Sequence, residues 1–114
     1  MSKIHFIAIG GAVMHNMALA LHKIGHQISG SDDQIYEPAR SRLRQANILP
    51  SDEGWFPEKI SNDVDFVILG MHAKKDNPEL LHCLESKIKV YSFPEFVALQ
   101  FRSKLKIVIA GSHG

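Results

Sequence analysis

The stretch Lys3-Ile4-His5-Phe6-Ile7-Ala8-Ile9-Gly10-Gly11-Ala12-Val13-Met14 decides how the chain is read. From Lys3 to Ile9 it is nearly continuously apolar, which suits a central parallel strand buried on both faces. Gly10 and Gly11 end that strand. From Ala12 to Ile24 the apolar residues Met14, Met17, Ala18, Leu21 and Ile24 recur every three or four positions, one face of an amphipathic helix, and Gly25 comes next as its stop. Strand, glycine turn and helix in that order aim unpaired N–H groups, and the positive end of a helix dipole, beyond the strand tip. Phosphate is the natural guest. Glycines in the turn keep side chains from holding the anion off the backbone.

Beyond the first helix, Gln27 to Ser31 reads as a second strand with Asp32-Asp33 at its carboxyl end, where open parallel sheets place ligand-binding residues. Pro38 starts a second helix running to about Ala46, capped by Asn47, and a short extended piece comes after it at Ile48 to Pro50. Ser51 to Asp63 is a loop with room for one helical turn, pinned by Trp55 and Phe56. Val64 to Leu69 is the next strand and Gly70 to Asn77 a polar loop. Asn77-Pro78 supplies an N-cap and a proline at the first helical position for a helix to about Ser86. Ile88 to Tyr91 is a further strand, Ser92 and Glu95 have capping-box spacing for a helix carrying Phe96, Val97 and Phe101, and Leu105 to Ala110 is a last strand. Strands alternating with helices imply an α/β class: a Rossmann-like parallel sheet flanked by helices, in a single domain.

Composition limits the partners. At 114 residues and 45% hydrophobic, the chain can build a core without disulfides or metal, and its formal charge of +1 gives no sequence-wide reason to expect nucleic acid or a membrane surface. Cys83 is alone and forms no internal disulfide, which fits a reducing compartment. The run Ile4 to Ile9 is too short to span a bilayer and lacks a signal-peptide cleavage site, so a cytoplasmic protein is expected.

A dinucleotide fingerprint would need glycines where the chain has Ala8, Gly10 and Val13, so only the middle one matches. Asp32 lies about 20 residues beyond the turn, the offset at which an acid meets a ribose hydroxyl. A nucleotide is favoured over a nicotinamide; an NAD(P)-binding regulatory or dehydrogenase domain and a non-enzymatic nucleotide sensor stay as alternatives. The plainest alternative is that Gly10-Gly11 only turns the chain and Asp32-Asp33 only caps the next segment. His15, His22 and His26 have helical spacing, yet Gly25 ends the helix before His26 and no ligand set is completed, so they read as a solvated face and no metal is expected. Arg40, Arg42 and Arg44 point to different sides of a solvated helix. His72, in a loop at a strand's carboxyl end, is a candidate ligand contact. Cys83 reads as a buried small apolar residue.

The segment Ile4 to Met14, with Gly25-His26-Gln27-Ile28-Ser29-Gly30-Ser31-Asp32, resembles the start of the Mur ligases. Asp76-Asn77-Pro78-Glu79-Leu80, the strand Lys106 to Ala110 and the terminal Gly111-Ser112-His113-Gly114 agree with the same family. These enzymes make peptidoglycan precursors. The resemblance implies residues 1–104 as a UDP-binding domain and 105–114 as the start of a central ATP-binding domain. Gly111, Ser112, His113 and Gly114 would open its phosphate loop, stopping one residue short of the family's lysine. It implies that the backbone of Gly10, Gly11, Ala12, Val13 and Met14 holds the UDP diphosphate, with Ser31 and Asp32 near the ribose or uracil and Met71, His72 and Ala73 as the opposite lip. For an intact enzyme it implies UDP-N-acetylmuramate, ATP, Mg2+ and an amino acid or murein peptide as partners, and amide formation through an acyl phosphate. This stretch alone is expected to be inactive, with no catalytic residue and no bound cofactor. Within the family the chain is similar to the members that use UDP-N-acetylmuramate. Val13-Met14, Asp32 to Pro38 and Gly70-Met71 look closer to the member that recycles a murein tripeptide than to the one that adds L-alanine, which usually carries glycine and Ser-Ser at the Val13 and Gly70-Met71 positions.

Overall fold

Burial on both faces sets the centre of the sheet. In the computed structural model, which describes residues 2–101, strand β1 is Lys3–Ile7, and every residue from Ile4 to Ile7 is buried. Helix α1 (Ala12–Lys23), β2 (Gln27–Ser31), α2 (Ala39–Gln45), a 3-10 turn at Pro57–Lys59, β3 (Phe66–Leu69), α3 (Pro78–Glu85) and β4 (Val90–Ser92) come next, and residues 93–101 are helical. The four strands are parallel in the order β2-β1-β3-β4, with Ile4 opposite Ile28 on one side and Phe66 on the other. The chain therefore leaves β1 in one direction to reach β2 and lands on its other side at β3. The carboxyl ends of β1 and β3 flank this topological switch point, where open α/β sheets bind ligands.

Alternation along β1 divides the core into two layers. Ile4 and Phe6 pack with Met14 and Ala18 of α1, Ala39 and Leu43 of α2, Ile68 and Phe96; Ile7 packs on the other face with Ile60, Val64, Val67 and Cys83 of α3. The Phe66 ring joins Tyr91 edge-on and Phe96 stacked, both with centroids 5.5 Å apart. Cys83 is fully buried, and burial pushes its thiol pKa up to about 11. Among the described residues no helix is long and apolar enough to cross a membrane.

Local signals set several boundaries as expected. The Asn77 side chain accepts the Glu79 and Leu80 N–H groups at 2.9 and 3.2 Å, with Pro78 at the first helical position. Ser92 and Glu95 close a reciprocal box at 2.8 and 3.1 Å. Asn47, just past α2, takes a left-handed φ of 60°.

Other expectations are corrected. The first strand stops at Ile7 and not Ile9, because Ala8 turns to φ 73° and breaks the extended run. Residues 48–50 form no strand. Ile24 is 60% exposed, so the core stripe of α1 ends before it. The fourth strand starts at Val90 and not Ile88, after Lys87 takes a φ of 59° at the end of α3. The strand expected at Leu105 to Ala110, and the segment Gly111 to Gly114, lie outside the described residues.

Candidate functional site

The first turn of α1 faces the switch point with its amides free. Gly11 is the N-cap in an extended conformation, contributes no side-chain cap, and no acidic residue occupies the first turn. By helix geometry the N–H groups of Ala12, Val13 and Met14 have no intrahelical acceptor. Gly10 differs: its N–H donates to Asp32 Oδ2 at 2.9 Å, so that amide is already committed. A Cβ on Gly10 would lie 2.9 Å from the same oxygen, whereas one on Gly11 would meet nothing nearer than 3.6 Å. Gly10 is therefore required by the approach of Asp32, whereas the space beside Gly11, which lines the cleft, would admit a side chain.

Around this turn lies a cleft of about 470 Å³, the size of a small-molecule site. The turn Ala8 to Met14 forms one wall, Asp32, Asp33, Gln34 and Tyr36 another, and Gly70, Met71, His72 and Phe93 the third. Its rim is apolar, with Val13, Tyr36 and Met71 at 50%, 69% and 65% exposure. The Tyr36 hydroxyl donates to the Gln34 side-chain carbonyl. A second cleft of about 310 Å³ shares Asp33 and His72 with the first and continues to Trp55, Ala73, Lys74 and Asn77.

Asp32 is the acidic residue hydrogen-bonded to the turn. Its other oxygen accepts the Asp33 N–H at 2.9 Å. Burial raises its pKa most, the Gly10 N–H offsets part of that, and the Asp33 side chain raises it further, to about 6. The cleft therefore holds an acid whose charge depends on pH near neutrality.

Behind the strands a polar cluster ties the layers together. His5 Nε2 donates to Glu79 Oε1 at 2.8 Å with both side chains fully buried, His5 Nδ1 meets Ser29 Oγ at 2.8 Å, and the Phe56 N–H donates to Glu79 Oε2 at 2.7 Å. Burial pushes the Glu79 carboxyl up, but hydrogen bonds from His5 and the Phe56 N–H, helped by the nearby Ser31 hydroxyl, outweigh it and hold it below the ordinary value. The Ser31 hydroxyl is fully buried on this side and has no hydrogen bond of normal geometry.

A sequence profile described as the Mur ligase family, catalytic domain, matches residues 3–104. The chain belongs to the Mur ligase family. The UDP-N-acetylmuramate--L-alanine ligases of Rickettsia canadensis and Rhizobium meliloti are 34% and 38% identical to it over 111 residues. Those matches take in 97% of this Mur ligase chain but 23% of each relative, so the chain spans under a quarter of their length. Among solved structures, a murein peptide ligase from Psychrobacter arcticus superimposes with a TM-score of 0.78 at 29% identity, over 88% of this chain and 21% of its own. The UDP-N-acetylmuramate-alanine ligase of Thermotoga maritima gives 0.72 at 28% identity, over 93% of this chain and 23% of its own.

In this Mur ligase chain the residues named from sequence fall into three groups. Gly10, Gly11, Ala12, Val13, Met14, Asp32, Met71 and His72 line the main cleft together. Ala73 lines the adjoining one. Ser31 lines neither, because neighbouring strand residues point to opposite faces and its side chain turns toward Glu79. The solvated face assigned to the three helical histidines is corrected for His15, which is 2% exposed because α2 brings Arg42 over it. Gln34 and Tyr36 were legible as neighbours of Asp32 at a strand's carboxyl end, whereas Phe93 reaches the cleft from the next helix and carries no local signal.

Proposed function

We propose that this chain binds UDP-N-acetylmuramate, with the diphosphate on the Ala12, Val13 and Met14 amides and the nucleoside toward Asp32. The observation that carries this reading is the uncapped first turn of α1 opening into the cleft at the switch point of the sheet. Relatives whose names include that nucleotide sugar support it. For the whole protein we propose a cytoplasmic ligase of peptidoglycan precursors. ATP and Mg2+ would activate the muramoyl carboxylate as an acyl phosphate, which an incoming amine attacks. The segment Gly111 to Gly114 would take part in holding the ATP. The task of the described residues is to bind and orient the sugar nucleotide.

The overlap with the Psychrobacter murein peptide ligase supports a murein peptide as the amine, and the L-alanine ligases of Rickettsia canadensis, Rhizobium meliloti and Thermotoga maritima support the alternative, L-alanine. The test has two parts. Calorimetry of the chain with UDP-N-acetylmuramate and with NADH should give tighter binding of the sugar nucleotide, and the reverse order would overturn the reading. Assay of the whole protein with L-alanyl-gamma-D-glutamyl-meso-diaminopimelate or L-alanine as the amine then decides the second substrate.

A further inference from the structure

A phosphate-binding helix N-terminus has a conflict built into it. Side-chain caps stabilise the first turn by taking the very N–H groups that the anion needs. In α1 the cap is a glycine beside a second glycine and contributes no side chain, so the turn gains nothing from the usual source. His15 answers this from the inside. Its backbone N–H donates to the Gly11 carbonyl at 2.8 Å, and its ring Nδ1 donates to the same oxygen at 3.0 Å. The ring is 2% exposed, and Arg42 of α2 donates to its Nε2 at 3.3 Å, which places the ring proton on Nδ1.

The peptide plane converts that grip into a direction. The Gly11 carbonyl and the Ala12 N–H belong to one trans peptide unit and point opposite ways. Fixing the oxygen toward the helix interior fixes the N–H toward the cleft. We infer that His15 is a positioning residue for the anion seat: it aims the Ala12 N–H by holding the Gly11 carbonyl, and Arg42 locks its ring in the donating orientation. This rests on the binding of a sugar nucleotide proposed above.

Three variants of the 114-residue chain test it. His15→Asn keeps a donor at the right reach, since Asn16 Nδ2 already donates to the Ala12 carbonyl at 2.9 Å across the same spacing. His15→Leu fills the space without a donor. Arg42→Met removes the outer lock from an exposed position, where folding is not at stake. By calorimetry, UDP-N-acetylmuramate should bind His15→Asn within about twofold of the parent, His15→Leu about tenfold more weakly, and Arg42→Met between the two. Equal affinity of the Leu variant and the parent, or of the Asn and Leu variants, would overturn the inference. In ligand-free protein the Ala12 amide resonance should move in the Leu variant and stay in place in the Asn variant. If the parent binds no sugar nucleotide, the proposed function falls, and an unmoved Ala12 resonance in the Leu variant separately sinks the positioning role.

Discussion

Ala8 fills the space that a side chain at position 70 would need: a Cβ added to Gly70 would lie 2.8 Å from the Ala8 Cβ and 3.1 Å from the Ile7 carbonyl. Ala8 also sits at φ 73°, a conformation that costs an alanine about 1–2 kcal/mol. The two positions should therefore be coupled. Gly70→Ser alone is expected to destabilise by about 1–3 kcal/mol, and Ala8→Gly alone to be neutral or stabilising by up to about 1 kcal/mol. In the Ala8→Gly background the cost of Gly70→Ser should shrink by about 1 kcal/mol or more, measured by urea unfolding of the four proteins. Additive effects would contradict this contact.

The two glycines of the turn should separate stability from binding. Gly11→Asp places a good N-cap in an already extended backbone, with room for its Cβ. Its carboxylate would accept amides of the first turn, so the melting temperature should hold or rise slightly while UDP-N-acetylmuramate binding is lost. Gly10→Ala pushes against the Asp32 carboxylate and the Ile35 side chain at 3.2 Å, and should lower stability by about 1–3 kcal/mol. Retained affinity in the Gly11→Asp protein would place the anion elsewhere.

Asp32 gives the site a pH dependence. Its carboxyl holds a proton up to about 6 in the folded chain against 3.8 ordinarily, so the stability it contributes is complete below the lower value and is lost as pH rises through the higher one. Asp32→Asn should abolish that loss, gaining on the order of 1 kcal/mol over the parent between about pH 4 and pH 7. Ionised Asp32 also opposes a neighbouring anion. The parent's affinity for UDP-N-acetylmuramate should fall about three- to tenfold between about pH 5 and pH 8, and Asp32→Asn should be nearly flat over that range.

Glu79 acts on the opposite side of the pH scale. Its carboxyl is held below its ordinary 4.5, so its stabilising effect is full above that value and is lost as pH falls through the lower folded value. Glu79→Leu strands buried His5 and the Phe56 N–H, and should cost about 3–5 kcal/mol. Glu79→Gln should cost less and should flatten the acid limb of the stability curve, read by thermal melts between about pH 3 and pH 7.

What the sequence disclosed was written in local chemistry. Asn77-Pro78 and the Ser92/Glu95 pair determine helix starts through bonds spanning two or three residues, and the alternation of apolar runs with helical stripes was enough to read a parallel α/β sheet. What it hid depended on distant partners. Nothing near Glu79 shows that His5, far back on β1, will donate a hydrogen bond to it, and nothing in α1 shows that Arg42 will cover His15. Ala8 conceals its turn because alanine seldom turns left-handed and nothing beside it in the sequence marks the end of the strand at Ile7. Ser31 and Asp32 looked equivalent as neighbours, but strand alternation sends one into the core and the other to the cleft.

The seclusion of Cys83 makes it an indicator of breathing motions across the sheet. A thiol with no solvent contact and a pKa near 11 reacts with an alkylating reagent only during openings that expose α3. Its labelling rate therefore counts those openings without an attached dye. Slower labelling in the presence of a sugar nucleotide would reveal how far ligand capture at one end of the strands quiets the layer behind them.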